Sequence, residues 1–333
     1  MFPILILLAL QFPLFADEEY TFDDLMIRLI ESPLLYVMSI EDTLLVTPEQ
    51  YKQVVGANLY QQKMGKDLMI MEYLLDPEAA KQYNLAEEYF AKEDYTKAIK
   101  HYKAALKRHP TNAMVQTFLG QAYRNIGDMK AAKKCYLKAI KANYHGYMAH
   151  WFLANIYMSE GNIMQAVEEI SLAKVLNRNN PRLQEHFETI MDGAGRRSRD
   201  YYFTPQVLIS KPEGDSIMIR STMEWLPYGI VEALWLYEPD FHEKERALKD
   251  YFNFTRAAEI FVSLNRAYGT LDQEYRQDPM LAFLHGAAKE NLPRGFVLYE
   301  MLLPQAPAGV FQLPRNDIQE MQEYLLKVKH IRY

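Results

Sequence analysis

Cysteine is almost absent from this chain. Cys135 is the single cysteine among 333 residues, so no disulfide can form within the chain and no site built from several cysteines can hold a metal. An excess of positive charge is also missing, because 37 Lys and Arg face 43 Asp and Glu, a formal net charge of −6. This balance argues against a general nucleic-acid-binding protein. We predict no metal, no cofactor and no nucleic-acid partner.

Sequence patterns of catalysis are missing too. There is no Gly-x-Ser-x-Gly nucleophile turn and no glycine loop with lysine for a phosphate, and His242 lacks the second histidine of a helical zinc pair. Glu232 is unusual because it stands alone in the apolar stretch from Trp225 to Tyr237. Burial there could raise its pKa for acid catalysis, but a single charge on such a helix more often faces water or pairs with an arginine. We predict that the chain is not an enzyme.

The first 16 residues form an uncharged and mostly apolar run. Met1 to Ala16 carries no charged side chain and is followed at once by Asp17, Glu18 and Glu19. The run is shorter than the roughly 20 residues that cross a bilayer, and it ends in a small residue. It predicts a cleaved export signal and a periplasmic or extracellular protein. The alternatives are an uncleaved anchor and a buried amphipathic start.

A period of 34 residues runs three times without insertion, from Ala79 to Asn112, Ala113 to Gly146 and Tyr147 to Asn180. Such a period is typical of stacked helix–turn–helix units. Small and large apolar residues return at the same places, where the two helices of a unit must touch. These places hold Leu85, Leu119 and Leu153, then Tyr89, Tyr123 and Tyr157, then Ala98, Ala132 and Ala166.

These residues resemble the tetratricopeptide repeat family over 79–180. The resemblance implies a right-handed superhelix whose first helices line a concave groove that holds proteins or peptides. It implies no reaction. The family's usual first-helix tryptophan is replaced by Gln82, Gln116 and His150, and only Pro110 keeps the usual helix-ending proline.

The rest of the chain is predicted to be mainly helical, so the fold class is an α-solenoid with helical flanks. We divide the chain into a signal (1–16), a helical N-terminal cap (17–78), three repeats (79–180), a capping helix and linker (181–200) and a helical C-terminal domain (201–333). Leu68 to Leu75 is interpreted as a helix that ends at Pro77, and Thr47-Pro48-Glu49 as the start of another. Val207 to Ser210 and Ile217 to Arg220 predict one short hairpin.

The resemblance also implies which side chains line the groove. Polar and aromatic residues at these places suit an extended peptide, because amides pair with a peptide backbone and flat rings anchor its side chains. The candidate residues are Tyr83, Glu87, Thr117, Gln121, Arg124, Asn125, Trp151, Asn155 and Met158. An alternative is that some of them pack against neighbouring segments of the chain.

One well-known subset of the family grips a peptide's terminal carboxylate with lysines, asparagines and an arginine. In this chain the corresponding places hold Tyr83, Glu87, Phe118, Met148 and Phe152. This carboxylate clamp is therefore absent.

The second helices of the first two repeats are rich in lysine. Residues 79–146 contain 13 Lys and Arg against five Asp and Glu. A solvated helix face explains this composition, and the alternative is a docking surface for an acidic protein or an anionic surface. Its members are Lys97, Lys100, Lys103, Lys130, Lys133 and Lys134.

The sequence thus predicts an exported scaffold for protein–protein interaction in the cell envelope, acting through the groove. Two alternatives stay open. One is a wall- or envelope-acting hydrolase recruited by the repeats, and the other is an adaptor that binds an anionic surface through the basic face.

Overall fold

A computed structural model describes residues 22–44, 46–47, 53–197, 201–212, 214–242 and 252–330. The predicted export signal, Met1 to Ala16, lies outside these residues. Of the helix start predicted at Thr47-Pro48-Glu49, only Thr47 lies within them. Within the described ranges, no helix combines the length and the apolar character needed to cross a bilayer.

The described residues fall into two compact units, each assembled from separate stretches of chain. One unit, called the repeat unit, draws on Lys52–Ser198, Leu303–Leu326 and His330–Tyr333. The other, the flanking unit, draws on the described residues within Met1–Tyr51, Arg199–Leu302 and Lys327–Lys329. The structure therefore divides the chain differently from the boundaries predicted from sequence, because residues before the repeats contribute to both units.

Three consecutive helix pairs form the centre of the repeat unit, as the 34-residue period predicts. Each second helix begins at a capping residue of matching position, and Asp94 and Asp128 accept hydrogen bonds there from the backbone N–H groups of Lys97 and Ala131. The helices are α2 (Pro77–Ala91), α3 (Tyr95–Arg108), α4 (Ala113–Asn125), α5 (Met129–Ala142), α6 (Tyr147–Ser159) and α7 (Ile163–Leu176), followed by α8 (Pro181–Gly193).

Close approach of α4 and α5 depends on one glycine. A Cβ atom added at Gly120 would lie 2.5 Å from Cε1 of Tyr136, whose side chain is fully buried. A larger residue would force the two helices apart, since cores of native density leave no slack. The packing of α4 on α5 therefore requires glycine at this position.

The helix predicted over Leu68 to Leu75 is wrong. Residues Leu59–Met64 (β2) and Asp67–Glu72 (β3) form an antiparallel hairpin, with Met64 paired to Asp67 across a two-residue turn. Gly65 has φ of 65°, which glycine adopts at little cost. A short apolar run fits a strand as well as a helix, and here the glycine turn decides for the strand. The N-terminal cap is therefore not purely helical.

The repeat unit is completed by residues near the end of the chain. They supply a short helical stretch at Leu303–Gln305, a 3-10 helix at Pro307–Gln312 and helix α13 (Arg315–Tyr324). Helix α13 packs beside α7, where Gln322 Nε2 donates to the Glu168 carbonyl at 2.7 Å.

A three-stranded sheet lies in the flanking unit. Strands β4 (Val207–Ser210) and β5 (Ser216–Ser221) form the predicted hairpin. Strand β1 (Leu35–Ile40) adds to β5 in parallel, with Leu35 opposite Ser216, a pairing that the sequence did not predict. Helix α1 (Phe22–Glu31) precedes β1.

Helices make up the rest of the flanking unit. They are α9 (Leu226–Tyr237), α10 (Phe254–Thr270), α11 (Pro279–Lys289) and α12 (Pro293–Phe296), the last continuing as a π-helix over Val297–Leu302. A helix is predicted from Asp240 to Tyr268, and helix α10 begins at Phe254. Asn253 caps this helix, because its side chain accepts a hydrogen bond from the backbone N–H of Arg256. Residues 243–251 lie outside the described part of the chain.

An ion pair is buried in the flanking unit. Lys329 Nζ lies 2.7 Å from Oε1 of Glu300, and both side chains are at most 1% exposed. Lys329 also donates to the Tyr201 carbonyl at 3.1 Å. Two charges that neutralise each other and are hydrogen-bonded can remain buried. Removing one partner of such a pair typically lowers the free energy of unfolding by about 3–5 kcal/mol.

Candidate functional site

One edge of the first-helix face, the surface formed by side chains of α2, α4 and α6, is covered by the protein's own chain. The Val55 N–H donates to Oδ1 of Asn177 at 2.9 Å, and Nδ2 of Asn177 donates back to the Val55 carbonyl at 3.2 Å. Further along, Nδ2 of Asn143 donates to the Leu59 carbonyl at 3.0 Å. Two asparagines thus hold the segment that leads into β2.

These asparagines occupy the same place in successive repeats. Asn143 and Asn177 are 34 residues apart, and His109 stands at the matching place of the first repeat. His109 contributes as well, since its Nε2 lies 3.3 Å from the Asp76 backbone N–H. The repeat period therefore aligns a row of side chains that binds backbone groups of the segments preceding the repeats.

The covering segment closes part of the predicted groove. Gly56, Ala57 and Leu59 lie over the amino ends of α4 and α6, leaving a space of about 20 Å³, enough for about one water molecule. Thr117 is beneath it, 5% exposed, with its hydroxyl donating to the Ala113 carbonyl at 2.8 Å. Thr117 therefore does not belong to the open surface.

The hairpin adds a second layer at this closed edge. Gln61 Nε2 donates to the carbonyls of Phe311 and Leu313 at 2.8 and 3.1 Å. His145 lies below, 4% exposed and 5.5 Å from the Phe311 ring by centroids. Burial lowers the pKa of His145 to about 4, so the ring is neutral at pH 7.

The remaining part of the first-helix face is open. Gln121 and Asn155 share the ninth place of their repeats, and Asn125 lies on the same side of α4 as Gln121. Among the described residues none offers a hydrogen-bond partner to these three side-chain amides, although Gln121 and Asn155 are half-buried. Free amide groups that face a groove can bind the backbone of another chain.

Aromatic rings continue along the open part. Trp151 stacks on Phe152 with centroids 5.4 Å apart and meets the edge of His186 at 5.0 Å. It is half-buried, and its indole N–H is covered without an acceptor in the described structure. Trp151 therefore packs against α8 while keeping part of its surface open. Met158, also half-buried, approaches Gly193 of α8.

Two charged side chains flank these rings. Glu87 accepts a hydrogen bond from the hydroxyl of Tyr102 and raises the pKa of Tyr83, although burial of Tyr83 is the larger cause. Arg124 lies over the Phe152 ring, its guanidinium carbon 5.9 Å from the centroid. Both Glu87 and Arg124 are half-buried, and neither has an ion-pair partner among the described residues.

The predicted basic face is exposed on α3 and α5. Three of its lysines cover tyrosine rings: Lys97 over Tyr89, Lys103 over Tyr123 and Lys133 over Tyr157, with Nζ 5.1, 5.2 and 4.4 Å from the ring centroids. Lys97 and Lys133 also pair with Asp94 and Glu160. The other three, Lys100, Lys130 and Lys134, have no such partner in the described part of the chain.

Glu232, the candidate acid, is held in an ordinary structural arrangement. The Tyr228 hydroxyl donates to its Oε1 at 3.1 Å, and Nη1 of Arg256 lies 3.5 Å from its Oε2. This is the arginine pairing that the sequence favours. The described residues contain no group of three or more His, Cys, Asp or Glu side chains that could hold a metal ion.

Sequence reasoning missed Asn143 and Asn177. A signal was available, because the same polar residue recurs at one place of two successive repeats where a surface residue would vary. Both are buried, 6% and 0% exposed, which a polar residue tolerates only when it is hydrogen-bonded.

Comparison with known proteins agrees with the repeat architecture. The family model for the tetratricopeptide repeat matches residues 83–132 and 119–181, and it does not reach the C-terminal third. No curated protein sequence matches this chain significantly.

Solved structures of similar fold align with about a third of this chain. The first tetratricopeptide repeat domain of Spaghetti (RPAP3), bound to an HSP90 peptide, is 18% identical to this chain. Its TM-score is 0.34, and the alignment covers 36% of this chain and 96% of that domain. The tetratricopeptide repeat domain of Sgt2 from Aspergillus fumigatus is 20% identical, with a TM-score of 0.35, and the alignment covers 36% of this chain and 81% of that domain. The Yersinia enterocolitica type III secretion chaperone SycD, in complex with a peptide of the translocator YopD, is 19% identical, with a TM-score of 0.32 over 34% and 93%.

The helix pairs, the recurring small and aromatic residues and the matched family model agree with one another. Residues 83–181 are tetratricopeptide repeats, a scaffold for protein–protein interaction.

Proposed function

We propose that this chain is an exported scaffold of the cell envelope and that it binds an extended segment of a protein partner in the concave groove of its repeats. The observation that carries the proposal is a set of three amides, Gln121, Asn125 and Asn155, which have no hydrogen-bond partner among the described residues and lie beside half-buried aromatic rings. Amide groups that no other part of the described chain binds are available to the backbone of an extended partner.

The protein itself contains an example of the proposed recognition. Asn177 binds both backbone groups of Val55, a residue outside any helix or strand of the same chain. Gln121 and Asn155 offer the same chemistry on the open surface, and Trp151 adds a flat apolar contact. Because the carboxylate clamp is absent, we propose that the partner is held along an internal stretch and not by its C-terminal carboxylate.

A pull-down from envelope extract tests the groove. The mature chain, starting at Asp17, should recover a partner that the double variant Gln121→Ala/Asn155→Ala loses. Gln165→Ala, an exposed amide on α7, serves as the control and should retain the partner. Recovery of the same proteins by all three chains would show that the groove amides do not bind the partner.

Export is tested separately, by N-terminal sequencing of the protein from fractionated cells. We expect Asp17 as the first residue and recovery outside the cytoplasm. An intact Met1 on a cytosolic protein would contradict the proposed location while leaving the groove proposal unaffected.

The basic face supports a second candidate function, binding to an anionic surface. Helices α3 and α5 each carry five Lys or Arg and no carboxylate, and Leu137 stands exposed among the lysines of α5. Vesicles of phosphatidylserine and phosphatidylcholine at physiological salt should bind the chain. Replacing Lys100, Lys130 and Lys134 by Gln should abolish that binding, and equal binding by both chains would exclude this function.

A further inference from the structure

Glu87 is a carboxylate without a cation. The Tyr102 hydroxyl and the ring of Tyr83 enclose it, yet no Lys, Arg or His among the described residues forms an ion pair with it. A half-buried charge costs free energy unless an opposite charge completes it. Its aromatic surroundings extend to Phe118, whose ring centroid lies 6.1 Å from that of Tyr83. Aromatic faces beside a carboxylate favour a cation.

Arg124 presents the opposite case one repeat further along the open surface. Its guanidinium lies over the ring of Phe152, 5.9 Å from the centroid, and has no carboxylate partner in the described part of the chain. A planar guanidinium held on a ring can bind a carboxylate through two parallel hydrogen bonds. The open groove therefore has one unpaired negative group in the first repeat and one unpaired positive group in the second.

We infer that the groove recognises an extended segment with charges of both signs, a Lys or Arg that binds Glu87 and an Asp or Glu that binds Arg124. This inference rests on the proposed function and adds the chemistry and direction of the partner. The amides of Gln121 and Asn155 bind the backbone without regard to sequence, whereas the two charges fix which end of the segment lies on which repeat. Binding is therefore directional.

Synthetic peptides test this inference without knowledge of the natural partner. The set consists of peptides of about 12 residues, roughly 40 Å when extended, each carrying one Lys and one Glu as its only charged side chains, at varied separation and in both orders. Fluorescence anisotropy measures their affinity for the mature chain. At one separation we expect one order to bind about tenfold more tightly than its reverse, since one charge-assisted hydrogen bond supplies that factor.

A charge exchange provides the decisive variant. Glu87→Lys combined with Arg124→Glu keeps the net charge and should invert the preferred order of Lys and Glu. Glu88→Lys combined with Lys92→Glu makes the same exchange at exposed positions of α2 and its C-cap, and should leave the preference unchanged. Glu87→Gln, which still accepts from Tyr102, should remove the preference and guards against misfolding of the exchanged variant.

The outcomes separate this inference from the proposed function. Peptides that bind with no dependence on charge order, but lose affinity in the Gln121→Ala/Asn155→Ala variant, would overturn the inference and leave the groove proposal intact. A preference that the control exchange alters as much as the groove exchange would also overturn it. Failure of every peptide to bind the parent chain would overturn it as well, while the pull-down still decides on the groove.

Discussion

The repeat unit carries amide side chains at two places, and they differ in what they bind. At the closed edge, Asn143 and Asn177 bind backbone groups of the chain's own segment from Val55 to Leu59. On the open surface, Gln121 and Asn155 bind nothing among the described residues. Equivalent chemistry therefore serves stability at one edge and remains available for a partner at the other.

The largest effect is expected from Asn177→Ala at the closed edge. The change leaves the buried N–H and carbonyl of Val55 without partners, so the free energy of unfolding should fall by about 2–4 kcal/mol. Urea denaturation measures it. Asn125→Ala, an exposed asparagine of α4, is the matched control and should change stability by less than about 0.5 kcal/mol. Equal stability of the two variants would mean that Asn177 does not hold Val55.

Acid should weaken the closed edge through His145. The ring has a pKa of about 4 in the folded protein, against 6.5 in the unfolded chain, so the unfolded state binds the proton first. Stability from this group is complete above pH 6.5 and is lost as pH falls towards 4, by about 2 kcal/mol at pH 5. Denaturation at pH 7 and pH 5 should show this loss, and His145→Gln should reduce it. The same pH dependence in parent and variant would assign it to other groups.

A change inside the repeats gives a reference for the closed edge. Gly120→Ala should cost about 1–3 kcal/mol, because its Cβ would meet the buried Tyr136 ring at 2.5 Å. Gly269→Ala in α10, where nothing lies within 4 Å, should instead stabilise the protein by about 0.5–1 kcal/mol. A Gly120→Ala variant as stable as the parent in thermal or urea melts would contradict the register of α4 on α5.

The smallest effect on stability is expected on the open surface. Gln121→Ala and Asn155→Ala remove no hydrogen bond found in the described structure, so each should change the free energy of unfolding by less than about 0.5 kcal/mol. Their effect should appear in partner recovery instead. A loss of stability similar to that of Asn177→Ala would show that these amides are structural, and the contrast between the two edges would disappear.

The repeats could be predicted from sequence because each contact joins residues at fixed spacing. Leu119, Ala132 and Tyr136 recur with their counterparts every 34 residues, so periodicity alone places them. The hairpin over 59–72 could not be predicted, because its apolar residues fit the period of a helix as well as that of a strand. Only the turn at Gly65 distinguishes the two. The parallel partner of β5 was also out of reach, since nothing local relates Leu35 to Ser216.

The repeat period likewise places residues of the candidate site on a helix face, but it does not predict where a segment outside the repeats covers them. The family resemblance placed Gln121, Arg124 and Asn155 on the first-helix face, and the structure leaves them open. It also placed Thr117 there, where the chain's own segment covers it, because a contact between residue 56 and the repeats has no sequence period. Whether Tyr83, Trp151 and Met158 bind a partner stays a prediction.

The parallel pairing of β1 with β5 has a consequence for biosynthesis. Helices of the repeats pair with sequence neighbours and can form as they leave the ribosome, whereas β1 has no partner until residue 221 has been made. Throughout that interval its backbone edge, with Leu35 and Met38 beside it, is open to pairing with other chains. We therefore expect a chain that ends after the repeats to pair with other chains through β1 more readily than the full chain does.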